Sequence, residues 1–367
     1  MKQNYRKIIA AALCIFTLLA FPHKASAVSV SAVSAVMIEA ESGDIIYEKY
    51  AHKRMGMAST TKIMTAICAI ENMPVDTVIT IPPEAQGVEG SSVYLRAGEK
   101  LTLEELLYAL MLQSANDAAE AIAIAVSGSV EDFAALMNEK AHELGLKDTH
   151  FENPHGLDGD KHYTTAYELA KIAAYALENA TFARIASTVK KEIPSAEGVG
   201  ARILVNHNRL LREYSDIIGV KTGFTRKCGR TLVSAAERDG VRLICVTLND
   251  GDDWRDHRAM LDYGFTLYES VALCGKGSIR FTLPVVGGVC GSVEVYNTEE
   301  LTVSLPSGHG EITERTELPR FIYAGQKAYV PIGKTRFFCD GKEIGSVSLY
   351  MSGETAKKEP KRGFFGK

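Results

Sequence analysis

Ser59 and Lys62 stand three residues apart in Ala58-Ser-Thr-Thr-Lys-Ile-Met-Thr-Ala66, at the head of an apolar run from Ile63 to Ile70. In a helix, positions i and i+3 share one face. Ser59 then opens the first turn, and the Lys62 amine folds back beside its hydroxyl. A serine hydroxyl becomes a nucleophile when a neighbour takes its proton, and a neutral amine one turn away can do so. Unpaired backbone N–H groups at a helix start also favour negative charge developing there. The plain alternative is a capping serine with a solvated lysine, because Ser-x-x-Lys recurs by chance in many chains.

Two further elements favour the chemical reading. Ser114-x-Asn116 falls on the break between two helical patterns, and Lys221-Thr222-Gly223 ends an apolar run that a second strand-like run follows. Lys62 can be neutral if burial or a nearby positive charge lowers its pKa, and Lys221 supplies such a charge. Ser114 can relay a proton between Lys62 and a leaving amine, while Asn116 offers a donor and an acceptor to a substrate amide. Thr222 offers a hydroxyl to a terminal carboxylate, helped by the charge on Lys221. Gly223 has no Cβ, so an extended substrate can lie along that strand edge. The backbone N–H groups of Ser59 and Phe224 are candidate oxyanion donors. Singly, these motifs also read as turn residues or a strand end. All three in order, each in a fitting context, point to acyl transfer.

The surrounding pattern supplies the elements to position them. Two β-type runs flank Ser42-Gly43-Asp44, a hairpin signal. The Ser59 helix ends near Met73-Pro74, and residues 75–100 read as irregular with short strands. Thr102-Leu-Glu-Glu105 is a capping box, followed by helices over about 118–126, 131–144 and 165–178. After a polar connection come apolar runs at Ile217–Lys221, Thr231–Ala236 and Val241–Leu248, then a helix over about 254–263. This order predicts an α/β (α+β) domain, a sheet covered by a helical cluster. From Ser278 the texture becomes all-β, with strand-like runs at Ile279–Val286, Ser292–Tyr296, Leu301–Leu305, Lys327–Pro331 and Val347–Tyr350.

Residues 1–27 read as an export signal: Lys2, Arg6 and Lys7, an apolar core from Ile8 to Phe21, then Ala25-Ser-Ala27. Cleavage after Ala27 removes four basic residues and no acidic one, so the formal charge falls from -4 to -8. Nucleic acid is therefore not an expected partner. The expected division is signal 1–27, catalytic domain 28–272, β-rich domain 276–352 and basic tail 353–367, with an exported, extracytoplasmic location in the cell wall or on the outer face of the cytoplasmic membrane. The six cysteines after the signal are scattered, with no C-x-x-C pair, and read as free thiols. His150, His155 and His162 lack an H-E-x-x-H pattern, so neither a metal nor another cofactor is expected.

Ser-x-x-Lys, Ser-x-Asn and Lys-Thr-Gly in this order are the signature of penicillin-binding proteins and class A β-lactamases. The chain resembles the low-molecular-weight penicillin-binding proteins of the serine D-alanyl-D-alanine carboxypeptidase family. Besides Ala58–Ala66, the stretches Leu112-Gln-Ser-Ala-Asn-Asp-Ala-Ala119, Asn153-Pro-His-Gly-Leu157 and Gly219-Val-Lys-Thr-Gly223 fit that family's pattern. The resemblance is strong over about 34–270 and weaker over the β-rich 278–350. It implies a penicillin-recognising, transpeptidase-like fold that removes the terminal D-alanine of peptidoglycan stem pentapeptides and is acylated by β-lactam antibiotics. Ser59 is then the nucleophile and Lys62 the base, with Ser114 and Asn116 lining the cleft and Lys221 and Thr222 binding the carboxylate.

Two departures stand out. Relatives often end in a longer amphipathic helix on the membrane, whereas this sequence stops at Arg362-Gly-Phe-Phe-Gly-Lys367, a basic stub expected to give only weak membrane-surface contact. The arginine that relatives use beyond Lys-Thr-Gly is out of register, leaving Arg255 as a helper. A β-lactamase is the nearest rival; its deacylating glutamate would be Glu152, which lacks the expected asparagine four residues on. A non-catalytic penicillin receptor is the other rival, and the full set of catalytic residue types argues against it.

Overall fold

The computed structural model describes residues 28–195 and 200–359. The expected signal segment 1–27 and the tail from 360 onward, with Phe364-Phe365, lie outside these residues. Among the described residues, no helix is long and apolar enough to cross a membrane.

The site is built on a five-stranded antiparallel sheet of β1 (Ser34–Glu39), β2 (Ile45–Lys49), β3 (Ile217–Thr225), β4 (Gly229–Arg238) and β5 (Val241–Leu248), in the order β2-β1-β5-β4-β3. The predicted hairpins are present: β1 turns into β2, and β4 meets β5 across Asp239-Gly240. Every residue of β1 is buried, which requires cover on both faces of the sheet. Helices α5 (Ala166–Glu178) and α7 (Asp253–Gly264) both pack on β1 and β5 and provide it.

At the centre of the helical cluster lies α1 (Lys62–Asn72), in contact with α2 (Leu103–Leu112), α3 (Asn116–Ser127) and α4 (Val130–Glu143). Its residues from Lys62 to Ala69 are all buried, so this helix is enclosed rather than amphipathic. That enclosure puts Lys62 in a low-dielectric setting. Thr102 and Glu105 form the reciprocal capping box read from the sequence, and Ser129 and Thr165 cap the next helices through Asp132 N and Glu168 N. Caps of this kind contribute about 1 kcal/mol each.

The polar connection after residue 179 is more structured than its composition predicts. It holds α6 (Ala180–Ala186), capped by Asn179, and a hairpin of Lys190–Pro194 with Ala201–Val205. In the C-terminal part, Tyr268–Cys274 pairs with Leu301–Pro306, and six strands between Arg280 and Met351 form a second sheet. The run expected at Lys327–Pro331 is displaced: the strand starts at Pro331 and extends to Cys339. Proline is tolerated there because the first position of a strand need not donate to the ladder. Ile312–Glu317 is also a strand despite its charge; it occupies the sheet edge, where charged side chains discourage further pairing. The mixed α/β architecture with a sheet-rich C-terminal part agrees with the fold class expected from the sequence.

Candidate active site

Ser59 lies one step earlier than the sequence pattern suggests, in a 3-10 turn (Ala58–Thr61) that feeds α1 at Lys62. Two hydroxyls tighten this turn: Thr60 Oγ1 donates to Met57 O and Thr61 Oγ1 donates to Ala58 O at 2.8 Å. Ala58 adopts a left-handed φ of 47°, a conformation that costs a residue with a Cβ about 1 kcal/mol or more. The i,i+3 relation survives, and Lys62 Nζ stands 3.1 Å from Ser59 Oγ.

Lys62 is fully buried and its amine has two further partners, Asn116 Oδ1 at 2.7 Å and the backbone oxygen of His155 at 2.6 Å. Both are pure acceptors, so they take N–H bonds. Desolvation, and then the charge of Lys221, hold the Lys62 pKa well below that of an ordinary lysine, against an opposing pull from Asp117. A neutral amine has two N–H bonds and one lone pair. With the two bonds spent on Asn116 and His155, the lone pair is left for the Ser59 hydroxyl.

Ser114 sits in the break between α2 and α3 with φ 59°, buried, its Oγ without a protein partner. Asn116, at the start of α3, spends its carboxamide within the protein: Oδ1 on Lys62 and Nδ2 on the carbonyl of Glu89. It therefore orients the lysine, whereas the sequence pattern suggests a substrate contact at both ends of the amide. Its neighbour Asp117 is also buried and gathers the 89–95 loop, accepting from Ser92 Oγ, Val93 N and Leu95 N. Arg202 clasps the same loop from outside through Val93 O, Tyr94 O and the carboxylate of Glu99.

Lys221, Thr222, Gly223 and Phe224 lie along β3, the edge strand beside the Ser59 turn. Lys221 is buried, donates to Thr222 O at 2.9 Å, and burial pulls its pKa down to about 7. Thr222 is half-buried and Phe224 is exposed. A Cβ on Gly223 would lie 3.0 Å from Ser59 N and would overlap Thr231 Oγ1. Glycine is thus required for the strand to approach the Ser59 turn, a constraint separate from access for a substrate. Arg255 is turned to Asp252 and Asp256, with 70% of its side chain exposed.

Three contributors have no role in the sequence reading. The carbonyl of His155 is the third partner of Lys62. Gly156, at φ 90°, lets its loop press on Ala58, because a Cβ there would overlap the Ala58 carbonyl. His162 reaches Thr61 Oγ1 at 2.8 Å. A signal is present in Asn153-Pro-His-Gly-Leu157, but the working atoms of that stretch are main-chain ones, which residue type does not announce. Burial lowers the pKa of His155 to about 3 and that of His162 to about 4, so both rings are neutral near pH 7.

A serine beside a desolvated lysine, a glycine-spaced strand edge and a buried lysine on that strand define a serine acyl-transfer site. Residues 22–252 match peptidase family S11, D-alanyl-D-alanine carboxypeptidase, and the chain belongs to this family. Among its relatives, the D-alanyl-D-alanine carboxypeptidase DacF of Bacillus subtilis (strain 168) is 31% identical over 339 residues, spanning 90% of this chain and 84% of that protein. Penicillin binding protein 5 from Haemophilus influenzae is similar in structure, with a TM-score of 0.66 and 26% identity over 90% of this chain and 98% of its own. The Streptomyces K15 DD-transpeptidase gives a TM-score of 0.62 at 33% identity, covering 65% of this chain and 98% of its own. The chain is accordingly a serine peptidase, a hydrolase of the penicillin-binding class.

Proposed function

We propose that this enzyme removes the terminal D-alanine from peptidoglycan stem pentapeptides through an acyl-enzyme on Ser59, and that β-lactams acylate the same oxygen. The observation that carries this reading is the Lys62 amine, whose two N–H bonds are taken by Asn116 Oδ1 and His155 O while Ser59 Oγ stands 3.1 Å away. Lys62 takes the hydroxyl proton as Ser59 Oγ attacks the D-Ala–D-Ala carbonyl. The oxyanion is received by the N–H groups of Ser59 and Phe224. Ser114 gives its hydroxyl proton to the departing D-alanine amine and takes in exchange the proton that Lys62 had received, so the C–N bond breaks, the Ser59 ester forms and the Lys62 amine is free again. Water then attacks the ester and gives a proton to the Lys62 amine, and Lys62 returns that proton to Ser59 Oγ as the ester bond breaks and the shortened peptide leaves. Lys221 and Thr222 hold the terminal carboxylate, and Gly223 gives the substrate backbone access to the β3 edge.

The test uses the Val28–Gly353 chain beside its Ser59→Ala variant, each incubated with a penicillin and with a stem peptide ending in D-Ala–D-Ala. A lasting penicillin adduct by intact mass together with D-alanine release, both lost in the variant, is expected. Fast penicillin hydrolysis without D-alanine release would instead mark a β-lactamase.

On this reading residues 28–272 are the catalytic domain, 276–352 the β-rich domain and 353–367 a basic tail. The separate apolar core around Val295, Leu349 and Met351 supports that division. The signal 1–27 directs the enzyme outside the cytoplasmic membrane. The tail gives weak contact with an anionic membrane surface, a reading supported by exposed Val286, Val289 and Tyr323 near Lys357 and Lys358, where the described chain ends. Sedimentation with anionic and neutral vesicles, with and without residues 354–367, tests the tail's part.

A further inference from the structure

His162 is buried in the loop ahead of α5, and proton transfer between Ser59, Lys62 and Ser114 gives it no part. Its hydrogen bonds nevertheless run straight to the nucleophile's own peptide unit. Nδ1 lies 3.1 Å from the backbone N–H of Glu152, which can only donate, so Nδ1 carries no proton. The ring proton is therefore on Nε2, which donates to Thr61 Oγ1 at 2.8 Å. Thr61 spends its hydroxyl proton on Ala58 O, also at 2.8 Å. The result is a chain with one direction: Glu152 N–H to His162, His162 to Thr61, Thr61 to Ala58 O.

The end of this chain matters because Ala58 C=O and Ser59 N–H belong to the same planar peptide unit. In a trans peptide they point in opposite directions, so fixing the oxygen fixes the N–H. Ser59 N lies beside Gly223, the strand edge assigned to the substrate. The peptide is also strained, with Ala58 at φ 47°, so something must hold it. The loop that contributes His155 O to Lys62 closes over the same carbonyl at Gly156.

We propose that His162 and Thr61 are positioning residues for acyl transfer: their hydrogen-bond chain orients the Ala58–Ser59 peptide so that Ser59 N–H is aimed at the developing oxyanion. The proposal rests on the acyl-enzyme reading of Ser59. Losing the chain lets the peptide rotate, which weakens an oxyanion donor and swings a carbonyl dipole toward negative charge. The oxyanion charge develops only after the first complex has formed, so initial binding should be spared.

Stopped-flow acylation by a reporter penicillin separates the dissociation constant of the first complex from the acylation rate constant. Thr61→Val keeps the shape and removes the hydroxyl; His162→Met keeps the bulk and removes the donor. Each should slow acylation roughly tenfold to a hundredfold, less than outright loss of an oxyanion donor, with the dissociation constant changed less than about twofold. Thr61→Ser and His162→Gln restore a donor at the same place and should recover most of the rate. The double variant Thr61→Val/His162→Met should be no slower than the worse single one, because both cut the same chain. An unchanged acylation rate in folded Thr61→Val overturns the proposal, as does a rate loss not rescued by serine, a loss confined to the dissociation constant, or additive losses in the double variant. If His162→Met does not fold, the Thr61→Val and Thr61→Ser pair decides. Failure of the wild type to form any adduct would instead sink the acyl-enzyme reading, so the two failures are distinct.

Discussion

The backbone oxygen of His155 accepts a 2.6 Å hydrogen bond from Lys62 Nζ. A loop without a reacting side chain thus helps fix which way the lysine's lone pair points. Asn153 holds that loop, accepting from His155 N and Gly156 N and donating to Leu157 O. Thr65 Oγ1 adds a tie to Pro154 O at 2.6 Å. The Lys62 amine is therefore oriented from two directions, by main chain on one side and by the Asn116 carboxamide on the other.

Gly156→Ala tests how closely this loop must approach. The added Cβ would overlap the Ala58 carbonyl, and φ 90° is hostile to any L side chain. Gly98→Ala is the control: it has φ 83° and nothing within 4 Å of an added Cβ. The control should lose about 1 kcal/mol of stability from backbone strain alone and keep its acylation rate. Gly156→Ala should lose more stability and slow acylation by more than about tenfold, since the backbone atoms it meets also orient Lys62 and Ser59. Denaturant midpoints and acylation rates of the two variants check this; equal behaviour would show that the contact does not matter.

A second prediction concerns the clasp on the 89–95 loop. Arg202 and Glu99 have side chains only 14% and 5% exposed. Burial pushes the Glu99 carboxyl up, but hydrogen bonds from the Arg202 side chain and the Arg96 N–H, with the charges of both arginines, outweigh it, and the net pKa is lowered. Arg202→Met removes the Glu99 carboxylate's ion-pair partner and leaves it the Arg96 N–H at 3.2 Å, which should cost roughly 1–2 kcal/mol. The loop also supplies Glu89 O to Asn116, which orients Lys62, so acylation by the peptide should slow as well. Adding Glu99→Gln should recover part of the stability, because it removes the orphaned charge. Chemical denaturation and peptide kinetics of the single and double variants decide it.

The motif geometry is legible in the sequence because Ser-x-x-Lys and Lys-Thr-Gly are local patterns tied to one helix start and one strand. The capping box at Thr102 is legible too, since its donors and acceptors include side chains of named types. Two features are not: the need for Gly223 in strand-to-turn packing, and the action of His155 through its carbonyl. Those facts depend on contacts between segments nearly a hundred or more residues apart, and on atoms every residue possesses. Strand Ile312–Glu317 is hidden for another reason: its charged residues suit a sheet edge but carry no alternation to read.

A third prediction follows from His257. The ring is fully buried between Ser234 Oγ and Thr247 Oγ1, and desolvation lowers its pKa to about 3 from the usual 6.5. The charge of Asp256 pulls the other way and is outweighed. In the unfolded chain the ring takes up a proton as the pH falls through about 6.5, while the folded chain resists until about 3. The unfolded state therefore binds more protons in that window, and stability falls as the pH falls through it. His155 and His162 are common to wild type and His257→Gln, so their contribution cancels and the comparison isolates this ring. His257→Gln should show a shallower loss of thermal stability than wild type between about pH 6.5 and pH 3, the span set by the ring's two pKa values. Tm measured across that range checks it, and parallel curves would remove His257 from the account.

The last prediction reads the charge state of Lys62 directly. Asn116 Oδ1 accepts from Nζ at 2.7 Å as a neutral group. Asn116→Asp places a carboxylate at that position with little change in volume. A negative neighbour favours the ammonium form, so the Lys62 pKa rises from its depressed level. Acylation needs the free amine, so its rate climbs with pH as Lys62 loses its proton. In the variant that climb should move to higher pH, leaving a rate at neutral pH roughly tenfold to a hundredfold below wild type, about one to two pKa units of added stabilisation of the ammonium. The defect should narrow as the solution becomes more alkaline. Asn116→Ala behaves differently: it removes one acceptor without adding charge, so its defect should persist at high pH, where orientation of the amine rather than its protonation is limiting. Acylation rate constants for the three proteins, taken from acid to alkaline pH with the same penicillin, test both curves. An unshifted profile in Asn116→Asp would mean that Lys62 is not the group whose deprotonation controls attack by Ser59.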